Sequence, residues 1–113
     1  MLPTPSSTFL LTQTPSFVDE AELRAIEGPL SIAAAETDEI FPTEKRHQSE
    51  TILAETKQPY QINLYSGVVH GFSVRGDPSV KHEKFAREKA FLQAVQWFDE
   101  YLIWLPTAST IRL

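Results

Sequence analysis

The spacing of apolar residues changes several times along the chain, and each change marks an element. Residues 60–66, Tyr-Gln-Ile-Asn-Leu-Tyr-Ser, alternate with period two until Gly67 closes them, which predicts a strand. Residues 30–35, Leu-Ser-Ile-Ala-Ala-Ala, form a short uncharged run of small side chains, as suits a strand covered on both faces. Between them Thr43 is placed to cap a helix running to about residue 57, with Ile52 and Leu53 inward, and Pro59 forbids its continuation. Asp19, Glu20 and Glu22 put negative charge where a helix N-terminus favours it; Leu23 and Ile26 share one face, and Gly28-Pro29 ends this short helix. Residues 71–79 read as a loop around Gly76-Asp77-Pro78. A final helix over 81–105 would bury a stripe of Phe85, Leu92, Val95, Phe98, Leu102 and Leu105.

Strand, helix, strand and helix in this order make a βαβ unit, so the fold class is α/β with parallel strands. Two or three such strands with flanking helices are too few to cover themselves, which points to part of a larger sheet. Residues 1–14 are a Thr/Ser/Pro-rich tail or an edge strand around the β-prone island 8–12, and 106–113 read as a C-terminal tail.

Composition narrows the function. The 113 residues carry a net charge of −5 and no basic stripe, which disfavours nucleic acid or an anionic membrane as partner. No apolar run approaches the roughly 18 residues of a membrane span, and the first residues lack the charged start and long apolar core of a signal peptide. The expected location is the cytoplasm. Cysteine is absent, which excludes disulfides, thiolate metal sites and a cysteine nucleophile supplied by these residues.

In open parallel sheets function gathers beyond the carboxyl ends of the strands, where Asp38 follows Ala35 and His70 follows Gly67. A carboxylate that accepts from one imidazole nitrogen leaves the other free to take a proton from a nucleophile. Read alone, the same residues serve equally as a turn cap and a polar loop residue. Arg75 could meet a substrate carboxylate, or pair with Asp77, or be solvated; Phe72 could line a pocket or pack in the core. Ser66 and Ser73 flank His70 without the sharp turn a serine nucleophile needs. His47 and His82 lie on polar helix faces with no third ligand at metal-binding spacing, so no metal site is expected. Trp97, Tyr101 and Trp104 read as core and amphipathic cover.

Three segments occur in order: Gly28-Pro29-Leu30-Ser31-Ile32-Ala33-Ala34-Ala35-Glu36-Thr37-Asp38, Pro59-Tyr60-Gln61-Ile62-Asn63-Leu64-Tyr65, and His70-Gly71-Phe72-Ser73-Val74-Arg75-Gly76-Asp77. Together they resemble the C-terminal half of the dienelactone hydrolase family, most closely its fungal members, and the likeness extends over residues 15–103 within a hydrolase-like segment 15–105. The resemblance implies a partial α/β-hydrolase fold and a Cys-His-Asp triad acting on an ester or lactone, with no cofactor. Asp38 matches the triad acid and His70 the base. The nucleophile elbow and oxyanion hole of the family have no counterpart here, so the expectation is a truncated or degenerate copy that is inactive alone. The competing reading is a non-catalytic α/β remnant serving as an interaction module, self-associating through an open sheet edge.

Overall fold

The computed structural model describes residues 19–101 together with the backbone of 109–112. The elements are α1 (Glu20–Arg24), β1 (Leu30–Thr37), α2 (Thr43–Thr56), β2 (Tyr60–Val69), α3 (Phe72–Arg75), α4 (Lys81–Tyr101) and β3 (Ser109–Arg112). The strands form one sheet in the order β2-β1-β3, with both pairs parallel. The result is a partial α/β fold.

The middle strand explains the layering. Side chains alternate between faces along β1, and its residues Leu30 to Ala35 are all buried. Leu30, Ile32 and Ala34 meet Leu23, Ile26, Phe41, Ile52 and Leu53 on the face covered by α1 and α2. Ala33 and Ala35 meet Val68, Phe72, Ala86 and Ala90 on the face covered by α3 and α4. Alanine is a poor strand former, but here it lies opposite the alanines of α4, and packing outweighs propensity.

This contact also decides which face of α4 turns inward. The buried residues are Ala86, Ala90, Gln93, Ala94 and Trp97, whereas Phe85, Leu92 and Val95 of the expected stripe are exposed. An alanine-lined sheet accepts small residues at close range and leaves no room for a row of large ones. Leu102 and Leu105 lie outside the described residues, as do Trp104, residues 1–18 and the island 8–12. Trp97 is buried and its ring lies 4.5 Å from that of Tyr101.

Gln93 fixes α4 to the sheet. Its Nε2 donates to Ser31 Oγ at 2.7 Å and to the Ile32 carbonyl at 3.0 Å, and its Oε1 accepts from the Tyr65 hydroxyl at 2.8 Å. Gln93→Leu keeps most of the volume but deprives the fully buried Ser31 hydroxyl of its partner, so a loss of about 2 kcal/mol is expected. Urea unfolding with an unchanged slope checks this.

Four expectations need correction. Residues 106–113 are not simply a tail, because Ser109–Arg112 pairs with β1 on the flank away from β2; the unpaired outer edges among the described residues belong to β2 and β3. Thr43 is not the cap of α2: Pro42 occupies that position with φ −70°, without a side-chain bond, because Asp38 has already turned the loop. The segment 71–79 contains α3, too short to show a period, entered through left-handed Gly71 (φ 86°). Finally, Gly67 does not end β2, which runs on to Val69. Elsewhere Asp19 caps α1 by accepting from the Glu22 amide at 2.8 Å, and Lys57 in the left-handed region (φ 60°) closes α2 ahead of Pro59.

Candidate active site

The loop after β1 and the turn after β2 leave the sheet at the same edge, because the two strands are parallel and adjacent. Asp38 begins the first and His70 the second. Asp38 Oδ1 accepts from the amides of Ile40 at 2.9 Å and Phe41 at 3.0 Å, a turn closed by its own side chain. Its Oδ2 lies 2.8 Å from His70 Nδ1. The Asp38 side chain is fully buried, whereas that of His70 is 29% exposed.

The tautomer follows from these contacts. An ionised carboxylate can only accept, so Nδ1 carries the proton and donates it to Asp38, and in the neutral imidazole Nε2 then presents a lone pair. The carboxylate is held from three sides and cannot swing away from the ring. An imidazole held this way by a carboxylate is able to act as a general base through its outer nitrogen.

A bulge in β2 brings His70 to that position. Ala35 pairs with Tyr65 but Thr37 pairs with Val69, so β2 contains two residues more than β1 over this stretch. Gly67, at φ 73°, makes the turn that the extra residues require. Its amide donates to Glu36 Oε1 at 2.8 Å instead of to the ladder. Beyond the bulge the alternation is reversed, since Tyr65 and Val68 both pack into the α4-side cluster. Sequence reasoning missed Glu36; the signal was a glycine followed by two further β-branched residues, Val68-Val69, which marks a bulge rather than a strand end.

The two other candidates separate. Phe72 is 3% exposed and its ring lies 5.3 Å from that of Tyr65, so it packs in the core directly under the turn that holds His70 instead of lining an open pocket. Arg75 is exposed, and its guanidinium folds back over Gly71, where a Cβ would overlap it. Arg75 makes no ion pair with Asp77. Hydrogen bonds from the Ser79 hydroxyl and then the Ser79 amide hold the Asp77 carboxyl below its ordinary range. The Arg75 guanidinium therefore stands over Gly71, the residue next to His70 in the chain.

His47 and His82 are exposed, and the His82 ring packs over Gly67, with Cδ2 3.0 Å from where a Cβ would stand. Ser73 is buried and Ser66 is exposed on the bulge. Among the described residues no three His, Asp or Glu side chains converge as metal ligands, and no helix is long and apolar enough to cross a membrane.

The chain is 60% identical over 91 residues to a hydrolase designated tropI from Talaromyces stipitatus, covering 80% of this chain and 36% of that protein. It is 56% identical over 88 residues to the hydrolase pyvD of Aspergillus violaceofuscus, covering 78% of this chain and 36% of that one. With dienlactone hydrolase 1 of Gibberella moniliformis it shares 31% over 88 residues, 78% of this chain and 34% of the relative. The chain thus spans about a third of the length of the curated relatives it matches. No solved structure matches it. The dienelactone hydrolase family profile matches residues 14–102, most of the chain and both members of the Asp38–His70 pair, and the chain belongs to that family.

Proposed function

We propose that this chain supplies the acid and base of an ester or lactone hydrolase whose nucleophile is a cysteine outside these 113 residues. The observation that carries the reading is the 2.8 Å contact between His70 Nδ1 and a buried Asp38 carboxylate, with Nε2 left open. In the reaction His70 Nε2 takes the thiol proton as the thiolate attacks the carbonyl carbon, and Asp38 stabilises the imidazolium that forms. His70 then returns the proton to the leaving alkoxide. Water repeats the sequence on the acyl-enzyme, with His70 again as base. Arg75, exposed over Gly71, binds a carboxylate on the substrate, a role in which a fork of donors is an advantage. Phe72 supports the His70 turn from below.

A chimera tests this. In the Talaromyces hydrolase, the matching segment is exchanged for residues of this chain, and turnover of an activated ester accepted by the parent is measured. Retained turnover that falls by roughly three orders of magnitude or more in His70→Ala is expected. Turnover indifferent to His70→Ala would sink the proposal.

A further inference from the structure

We infer that the outer edge of β2 is a pairing surface for a second copy of this chain, joining two three-stranded sheets into one of six strands. Among the described residues β2 is an edge strand of ten residues, long for an edge. Soluble proteins blunt such edges with charge, proline or a bulge. Residues 60–69 contain no charged residue and no proline, and the bulge begins only after Tyr65, leaving Tyr60 to Tyr65 in regular register with β1. Apolar side chains stand out along this stretch, with Tyr60 at 42% and Leu64 at 49% exposure, and Phe85 of α4 at 60% forms one lip of a groove shared with Ile62, Leu64 and Ser66. The chain carries net negative charge, so two copies repel over most of their surfaces, and the uncharged β2 edge escapes that repulsion.

The identity of the occupant follows from the strand's self-complementarity. A continuous sheet formed from two copies requires a two-fold axis perpendicular to it and antiparallel pairing of β2 with β2. Opposed residues must then point to the same face, so only registers that pair even with even and odd with odd positions are allowed. Centring the axis on Ile62 places Tyr60 opposite Leu64 and Gln61 opposite Asn63. Both exposed apolar side chains gain a cross-strand partner on one face, and the two amide side chains meet on the other. The next allowed register, centred on Asn63, sets Tyr60 against Ser66 at the bulge and leaves it uncovered.

The absence of cysteine makes the register directly readable. Sedimentation of the 113-residue chain at tens of micromolar is expected to show a dimer, and Leu64→Lys, at a half-exposed edge position, should raise its dissociation constant roughly tenfold or more. Gln61→Cys and Asn63→Cys chains, mixed and oxidised, should give the mixed disulfide in preference to either homodimer, because these positions face one another only across the Ile62 axis. A monomer at these concentrations overturns the inference. So does association that ignores Leu64→Lys, or a homodisulfide of Asn63→Cys as the main product.

Discussion

The purified 113-residue chain is expected to show no saturable turnover of an activated aryl ester. A positioned base accelerates a reaction by about two to four orders of magnitude, and only when a nucleophile is held against it. The larger part of a cysteine hydrolase's rate comes from covalent attack by a thiolate and from donors aimed at the developing oxyanion. This chain has no cysteine. What it does have is three histidines, all at least partly exposed. Each can react with an aryl ester through a ring nitrogen without first binding it, so the rate should be slow and linear in ester concentration. His70→Ala should therefore remove no more than about one histidine's share of it. A saturable rate abolished by His70→Ala would show that these residues form a complete catalytic site.

Asp38→Ala should be the most destabilising single substitution at the site, at about 3–5 kcal/mol. The carboxylate satisfies the Ile40 and Phe41 amides and the His70 Nδ1–H from a fully buried position. Alanine leaves these donors without a partner, at about 1–3 kcal/mol for each that stays buried. The melting temperature should fall by roughly 10 °C or more. Asp38→Asn separates the two duties of the residue. Its carbonyl oxygen still accepts from both amides, so stability should fall by only about 1 kcal/mol. Its amide nitrogen, however, is now a donor facing Nδ1. His70 must answer by moving its proton to Nε2, which closes the atom that would accept a thiol proton. Nitrogen-15 chemical shifts of the ring read this change directly. An Asp38→Asn protein that keeps the Nδ1–H tautomer would contradict the assigned geometry.

How much of this was legible in the sequence depended on whether a signal was local. The second strand could be read from its period of two, the first from its short uncharged run and the helix between them from its inward pair and its proline stop, because each signal lies within a few residues. Asp38 and His70 could be placed on one edge because parallel neighbours end together. The buried face of α4 could not be read this way. The large apolar residues Phe85, Phe91, Leu92 and Val95 face out, and only the alanines of β1 opposite explain why Ala86, Ala90 and Gln93 face in. The bulge escaped for a related reason. Gly67 looks like a terminator until Glu36, from the neighbouring strand, is seen to accept its amide. The third strand, four residues long, had no periodic signature of its own, and it exists by pairing with β1.

That third strand also bears on the order in which the molecule assembles. Leu30 pairs with Tyr60 on one side and with Ser109 on the other. Closing the longer loop costs about 0.9 kcal/mol more chain entropy than closing the shorter one, by the logarithmic dependence on loop length. The β1–α2–β2 unit, which already contains both Asp38 and His70, can therefore form first, and β3 can find its place only on a flank that β1 has finished building. Asp38 and His70 belong to the early, locally closed part of the chain, and β3 docks onto a sheet in which that pair is already in position.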